Sequence, residues 1–407
     1  MGRYIKEIKI NKLFHLENVR IGIDDKHPHL ILTGRNGSGK TVTLDAVAKY
    51  LDDLLNGEGV QKARAVAKAK TPFEKKLAER NLEAWRARWA ESPREVEADI
   101  DNQADIVEKY CKGEFIIAYY GAHRELIMRE GKREVPLKPN MPKKTAVKKE
   151  LAGEFLNFLS YQKIVASLAG NAGDKAEEKR IGIWFDEFEK LLREIYGDDN
   201  LRLAFSYQPD FKFTINTRGK TFGFNVMADG YKALLEIVTD LIMKMQQQNG
   251  GLTGAYKKEG IVMIDEIESH LHLEMQKTAL PLLAKIFPNI QLIVTTHSPF
   301  VVGSLATATA FDMERRESVG DLTAYSYEAL AEGYFGADGT SGYIRTMMEE
   351  MERLLRKEGL SHGEKSDLKS MMNEFNKLSE AAMPAVVGRY RQMKLENAGK
   401  IKEIEHD

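Results

Sequence analysis

The stretch Leu30–Thr41 constrains the fold of this chain more than any other part of the sequence. It reads Leu-Ile-Leu-Thr-Gly-Arg-Asn-Gly-Ser-Gly-Lys-Thr, an apolar run followed by the pattern G-x-x-x-x-G-K-[ST]. The run Leu30–Leu32 predicts a buried strand. Apolar residues then recur at the spacing of one helix face: Leu44, Val47, Leu51 and Leu54. The sequence therefore predicts a strand, a glycine-rich loop and a helix in succession.

This loop has the residue types that a phosphate-binding site requires. Glycines let the backbone curl until successive N–H groups point inward, and the helix behind adds its positive dipole end. We expect Lys40 to reach the β- and γ-phosphates and Thr41 to place its hydroxyl on Mg²⁺. The alternative is a glycine-rich turn before an ordinary core helix. The predicted nucleotide-binding residues are Gly34, Asn36, Gly37, Ser38, Gly39, Lys40, Thr41 and Val42.

A second apolar run, in residues 260–266, ends in two acids, Asp265 and Glu266. Ending a core strand on two carboxylates is costly unless they have a function. A P-loop site needs one acid for the Mg²⁺ shell and one that orients or deprotonates the attacking water. We therefore predict that Asp265 binds metal and that Glu266 is the catalytic base. The alternative is a strand that ends in an ordinary acidic turn.

A third apolar run, in residues 290–296, is followed by His297. A histidine at a strand end beside a phosphate site can donate to the γ-phosphate or hold the attacking water. A lone histidine is more often a satisfied structural residue, but its place after the two preceding motifs favours function. The predicted catalytic residues are therefore Lys40, Glu266 and His297.

The composition restricts the class of protein and its compartment. A length of 407 residues suffices for two or three domains, and a hydrophobic content of 43% suffices for a sizeable core. The net charge of −1 excludes a nucleic-acid-binding protein that is basic overall. A single cysteine, Cys111, excludes a disulfide framework and suits a reducing cytosol. Neither a membrane-spanning apolar run nor the apolar core of a signal peptide is found. We expect a cytoplasmic protein that does not enter membranes.

The order of the three motifs resembles that of the ABC-class P-loop ATPases of the RecF, SMC and OLD group. The P-loop is followed by Asp-Glu-x-Glu-x-His-Leu-His at 265–272 and by Thr-Thr-His-Ser-Pro at 295–299. The resemblance covers about residues 1–310, leaving insertions aside, and the compact build is most similar to stand-alone ATPases of bacterial antiphage systems of the Septu type. It implies an α/β fold: an ABC-type ATPase head with a mixed sheet, an antiparallel β subdomain, a helical lobe and a C-terminal helical tail.

The resemblance also implies ATP and Mg²⁺ as cofactors and a homodimer or higher homo-oligomer. In the family, ATP closes two heads on each other, and a signature loop of one protomer meets the γ-phosphate in the other. The matching residues here are Ala228, Asp229 and Gly230. The family usually has serine at the position of Ala228, so the missing hydroxyl predicts a weaker ATP-dependent dimer or slow turnover.

Between the P-loop and this signature stretch, no residue convincingly matches the glutamine that ABC ATPases carry there. Tyr120, Gly121 and Arg124 instead match a Tyr-Gly-x-x-Arg stretch seen in short members of the family. Two interpretations remain open for it, a structural turn and a nucleotide contact.

Composition and motifs divide the chain into five predicted segments. They are an ATPase head N-terminal part with the P-loop (1–51), a charged helical insertion (52–112), a strand with a basic loop and a helical lobe (113–200), a head C-terminal part with the signature stretch, the acidic strand and the histidine (201–312), and a C-terminal helical tail (313–407). Within the lobe, helices are predicted at 150–168 and 182–196, with a polar loop at 170–179 between them.

The tail shows no apolar strand ending in acids after Asp312. We therefore expect that the chain has no nuclease of its own and that a separate effector subunit, a nuclease, binds to it. The basic segment 129–149 could bind DNA or another nucleic acid, or be a solvated loop. The predicted function is an ATPase whose ATP-dependent dimerisation regulates a partner effector in bacterial antiphage defence. The alternatives are a RecF-like DNA repair ATPase and a nucleotide-gated scaffold with little hydrolysis.

Overall fold

The structure is a computed structural model that describes residues 4–124, 128, 147–208, 210–246, 255–319, 321–335, 342–379 and 383–406. Most of the predicted basic loop, residues 129–146, lies outside these ranges. The chain divides into two compact units, Met1–Leu330 and Ala331–Asp407. No helix in the described part of the chain has both the length and the apolar character needed to cross a lipid bilayer.

The strands and helices alternate through the first unit, whereas the second unit is helical. The strands are β1 (Ile5–Leu13), β2 (Leu16–Gly22), β3 (His29–Thr33), β4 (Val96–Ile100), β5 (Phe115–Tyr120), β6 (Arg202–Ser206), β7 (Lys212–Thr217), β8 (Lys220–Phe222), β9 (Glu259–Ile264), β10 (Ile290–Thr295), β11 (Ala308–Asp312) and β12 (Glu317–Val319). The helices are α1 (Lys40–Asn56), α2 (Glu58–Lys68), α3 (Pro72–Glu91), α4 (Gln103–Lys112), α5 (Phe155–Asn171), α6 (Lys175–Tyr196), α7 (Asp229–Gln246), α8 (Leu273–Ile286), α9 (Pro299–Val302), α10 (Tyr327–Phe335), α11 (Gly342–Arg356), α12 (His362–Asn376), α13 (Pro384–Glu396) and α14 (Ala398–His406).

The main sheet has six strands in the order β12-β11-β3-β10-β9-β5. All neighbours pair in parallel except β11 and β12, which are antiparallel, so the predicted mixed sheet is confirmed. Strands β3, β5 and β10 are buried along their whole length, as their continuous apolar runs predict. Because parallel strands end at the same edge of a sheet, the loops after β3, β10 and β9 lie side by side.

A separate antiparallel sheet has the order β2-β1-β4, which confirms the predicted β subdomain. Its buried residues join those of α1 in one core, so the subdomain packs against the helix that follows the P-loop. The range 52–112 is predicted as a charged helical insertion, but it also contains strand β4. Helices α2 and α3 form a hairpin before this strand, and α4 follows it. In β4, buried Val96, Ala98 and Ile100 alternate with polar residues, a strand pattern that the helical interpretation overlooked.

The helical lobe is formed by α5 and α6, with the small sheet β6-β7-β8 beside it. Aromatic side chains fill its core: the rings of Trp184 and Phe188 stack with centroids 5.6 Å apart, and Phe155 lies 5.1 Å from Phe188. The prediction of a polar loop at 170–179 is wrong for most of that range, because α5 extends to Asn171 and α6 begins at Lys175. Helix α6 begins seven residues before the predicted 182, at Lys175, because the Asp174 carboxylate accepts the Glu177 N–H and caps the helix.

The second unit has its own methionine-rich core, built from α11 to α14. Met351 and Phe375 are fully buried there, and the ring of Tyr390 stacks on Phe375 at 5.1 Å. The prediction of a helical tail from residue 313 is wrong at the start of that range. Strand β12 lies there and extends the main sheet. The helical C-terminal tail therefore begins after this strand.

Candidate nucleotide-binding site

The predicted P-loop connects β3 to α1 as a glycine-rich turn. Gly34, Gly37 and Gly39 have φ angles of +131°, +81° and +97°, which L side chains rarely adopt. Space is also restricted: a Cβ on Gly39 would lie 2.6 Å from Leu16 Cδ1, so the β1–β2 turn packs directly against the loop. Arg35, Asn36 and Gly37 are exposed, as is Thr41, while Ser38, Gly39 and Val42 are half-buried.

Lys40 folds back across this loop. Its Nζ donates to the carbonyl of Gly34 at 2.8 Å and to that of Arg35 at 3.0 Å. Burial lowers the pKa of Lys40, whereas the charges of four carboxylates raise it, led by Glu268 and Glu266. The Nζ also donates to the Ser38 hydroxyl at 3.5 Å. The ammonium is therefore a buried cation whose hydrogen-bond partners in the loop are all neutral, which suits a group that binds an anionic ligand.

The acidic strand β9 joins the P-loop through Asp265. Thr41 Oγ1 donates to Asp265 Oδ1 at 3.0 Å, and Thr295 Oγ1 donates to the same oxygen at 2.6 Å. Asp265 is buried, and its N–H donates to the carbonyl of Tyr120 at the end of β5. The ends of β9 and β10 and the start of α1 thus meet at one carboxylate oxygen.

Glu266 lies beside this junction in a strained backbone conformation, with φ +43°. Its N–H donates to Thr295 Oγ1 at 2.7 Å, and its Oε2 accepts a hydrogen bond from the Ser269 hydroxyl at 3.1 Å. The side chain is half-buried. Its carboxylate is therefore held at the edge of the site and remains accessible to water.

His297 follows β10 and is linked to the acidic turn through Glu268. Its backbone N–H donates to Glu268 Oε1, while Glu268 Oε2 is buried without a hydrogen-bond partner among the described residues. Burial lowers the pKa of His297, and the Lys40 charge lowers it further, so its imidazole is neutral at pH 7. The charges of Glu268, Glu266 and Asp265 act in the opposite direction.

The structure adds residues to the site that sequence reasoning missed. Thr295 and Glu268 lie within the sequence motifs, but the motifs alone predict no role for them. For Glu268 there was a signal, since it is the second acid of Asp-Glu-x-Glu. Arg124, whose role was left open, is buried and donates to backbone carbonyls of the turn after β9. That turn, rather than the P-loop, is its partner in the structure.

The signature stretch Ala228–Gly230 lies at the start of α7. The carbonyl of Ala228 accepts the N–H groups of Tyr231 and Lys232, and the Asp229 side chain is exposed. Gly230 is buried. Its backbone lies so close to the next segment that an added Cβ would be 3.0 Å from the carbonyl of His270. The stretch therefore packs on the segment that follows the acidic strand, with its aspartate facing solvent.

A cavity of about 570 Å³ lies beside the P-loop helix. Leu13 and Phe14 of the β1–β2 turn line one side, and Val42 and Ala46 of α1 line another. An ion pair between Lys148 and Asp45, 2.5 Å apart, lies at its border. The cavity adjoins the residue that directly follows Thr41.

Comparison with known proteins shows several to which the chain is similar. A family model described as "AAA domain, putative AbiEii toxin, Type IV TA system" matches residues 162–303. The Septu protein PtuA of Bacillus mycoides (strain KBAB4) is 23% identical over 92% of this chain and 51% of its own length. The "Retron Vc95 probable ATPase" of Vibrio cholerae serotype O1 biovar El Tor is 33% identical over 29% of this chain and 24% of its own length.

Among solved structures, the SMC head domain from Thermotoga maritima aligns with 78% of this chain and 97% of its own, with 14% identity and a TM-score of 0.37. The chain spans about half the length of the Septu relatives that it matches. The resemblance inferred from the three motifs is confirmed by the family model and the Septu relatives. The chain resembles the ABC-type P-loop ATPases and is similar to the Septu PtuA proteins.

Proposed function

We propose that the chain binds ATP with Mg²⁺ and hydrolyses it to ADP and phosphate. The observation that carries this proposal is the hydrogen bond between Thr41 and Asp265, which joins the P-loop to the acidic strand. The site contains a half-buried carboxylate, Glu266, a buried lysine and a neutral histidine beside that junction. This is the set of groups that phosphoryl transfer to water requires.

The donors at the junction fit a magnesium ion. Thr41 and Asp265 supply a hydroxyl and a carboxylate oxygen, the hard ligands that Mg²⁺ prefers, and the hydrogen bonds described for the Asp265 carboxylate come from the neutral hydroxyls of Thr41 and Thr295. Thr41 and Asp265 would hold the ion. When bound, Mg²⁺ supplies positive charge that offsets the negative charge of the phosphates.

The protein's own residues then divide the work of hydrolysis. The N–H groups of the P-loop and the Lys40 ammonium bind the phosphates, while Glu266 takes a proton from water as its oxygen attacks the γ-phosphorus. The bond to the β-phosphate oxygen breaks, and ADP leaves. His297, neutral at pH 7, accepts or donates a hydrogen bond that holds the water in line.

We further propose that the adenine base lies in the cavity beside α1. The cavity opens next to Val42, immediately after Thr41, and Phe14 presents a ring that is 76% exposed at its edge. An exposed ring at the border of an apolar cavity suits stacking against a flat base.

ATP binding would close two copies of the head on each other, with Asp229 and Gly230 of one copy completing the site of the other. The Asp229 side chain supports this arrangement, because it is exposed to solvent and accessible to a second copy. Closure would regulate a separate effector, such as a nuclease, in antiphage defence. The Septu and retron relatives support this role, and DNA or another nucleic acid remains a proposed further partner.

Ala228 favours one alternative, a nucleotide-gated scaffold with little hydrolysis. Its methyl group cannot donate the hydrogen bond that a serine would give to a phosphate. In this case ATP would set the assembly while turnover stayed slow.

Phosphate release from purified protein with ATP and Mg²⁺ tests the hydrolysis proposal. We expect wild-type protein to release phosphate and Glu266→Gln to lose at least about 100-fold in rate, because the amide cannot accept the proton. Glu79→Gln, an exposed substitution on α3, should match the wild type. Equal rates for wild type and Glu266→Gln would refute the assignment of the base, and release by neither protein would favour the scaffold.

A further inference from the structure

Arg124 reaches the backbone of the catalytic turn from the neighbouring strand. It follows β5, which pairs in parallel with β9, so both chain segments leave the sheet at the same edge. Its Nη1 donates to the carbonyl of Asp265 at 3.0 Å, and its Nη2 donates to those of Glu266 at 2.8 Å and Ile267 at 3.3 Å. One guanidinium thus holds three consecutive carbonyls of the turn.

This turn needs such support because its backbone is strained. A left-handed conformation at a residue other than glycine is unfavourable and persists only when its surroundings hold it. Glu266 has that conformation, with φ +43°. The planar guanidinium offers five N–H donors in a fixed arrangement, which an ammonium group cannot reproduce.

The burial of the positive charge of Arg124 is also unusual. It is 5% exposed, and among the described residues its hydrogen bonds all go to backbone carbonyls rather than to a carboxylate. Burying a cation without a direct carboxylate partner is costly. Compensation comes at longer range from acidic side chains, led by Glu236 on α7, the helix that begins at the signature stretch.

We infer that Arg124 is a positioning residue for ATP hydrolysis, which fixes the turn Asp265–Ile267 so that the Glu266 carboxylate faces the attacking water. The inference rests on the proposed function of the same site. Arg124 acts through Glu266 and does not contact the nucleotide. Its removal should therefore slow the chemical step and leave ATP binding nearly unchanged.

The test compares Arg124→Gln and Arg124→Lys with wild type, measuring kcat and KM for ATP and the equilibrium Kd for ATP. We expect Arg124→Gln to lower kcat about 100-fold, the scale of an ångström-sized misplacement of a catalytic group. Arg124→Lys, which retains the charge but not the planar donors, should lose about 10-fold. The Kd for ATP should stay within about threefold of wild type in both variants.

Arg193→Gln is the matched control, because Arg193 also donates to a backbone carbonyl, that of Leu201, but lies in the helical lobe. We expect it to leave kcat unchanged. Wild-type kcat in either Arg124 variant would overturn the inference, as would a loss confined to ATP affinity. If Arg124→Gln does not fold, Arg124→Lys decides, and failure of both to fold would make the residue structural and refute the inference.

The same measurements separate this inference from the proposed function. If wild type hydrolyses ATP and the Arg124 variants match it, only the role of Arg124 is refuted. If wild type hydrolyses no ATP, the proposed function fails and the inference falls with it.

Discussion

Glu268 links two loops of the site at the scale of a single side chain. One of its oxygens accepts the N–H of His297, and the other is buried without a hydrogen-bond partner among the described residues. Its negative charge also raises the pKa of His297, against the effects of burial and Lys40. The carboxylate therefore both fixes the backbone at His297 and tunes the imidazole.

Replacing Glu268 with glutamine should lower the pKa of His297 further. The amide keeps a carbonyl oxygen that can accept the backbone N–H, but the charge that favours the protonated imidazole is gone. Titration of the His297 ring by NMR measures this directly. Glu274→Gln, an exposed substitution on α8, should leave the value unchanged, and an unchanged or higher pKa in Glu268→Gln would contradict this view of the site.

The sequence predicts the residue types of the site but does not reveal all the contacts between them. The spacing of the P-loop glycines, the acids after an apolar run and the histidine after another could be interpreted because each pattern has its own physical requirement. The role of Thr295 could not, because it depends on β10 lying between β3 and β9. The partners of Arg124 likewise depend on which strand pairs with β9.

At the scale of secondary structure, α1 and α7 present the two ends of the proposed nucleotide site. Helix α1 begins at the P-loop lysine, and α7 begins at the signature stretch, where the Ala228 carbonyl accepts the N–H groups of Tyr231 and Lys232. Both helix N-termini offer N–H groups and a positive dipole end to an anion. A hydroxyl at position 228 would add a donor at the second of these ends.

Ala228→Ser should therefore strengthen ATP-dependent dimerisation. A hydrogen bond to a charged oxygen contributes roughly 1.5 kcal/mol or more, which corresponds to at least about a tenfold lower dimer Kd. Sedimentation of the variant with ATP and Mg²⁺ measures the change, and Ala172→Ser at the exposed end of α5 is the control. The same dimer Kd and hydrolysis rate as wild type would show that the missing serine hydroxyl has no effect.

Elements with a strong pattern could be predicted, and those dependent on short signals could not. The buried strands of the main sheet follow from apolar runs, whereas β4 was hidden in a charged stretch whose alternation covers only Val96–Ile100. The start of α6 depends on one capping aspartate, Asp174, in a polar stretch that resembles a loop. Local capping and short alternation are weaker signals than a long apolar run.

At the scale of the whole molecule, the chain combines an ATPase head with a small helical unit. The fold class that the family resemblance implies is confirmed: a mixed sheet, an antiparallel β subdomain, a helical lobe and a helical tail. The methionine-rich side chains of the tail pack into the core of that unit. The docking of an effector on the tail or on the α2–α3 hairpin remains a prediction.

The solution mass of Glu266→Gln shows whether ATP closes two heads on each other, as we propose. This variant should bind ATP and retain it, because the base is removed while the P-loop and Asp265 are intact. Light scattering with and without ATP and Mg²⁺ should show monomers that become dimers only when both are present. A mass already dimeric or larger without nucleotide, and unchanged by ATP, would contradict the account.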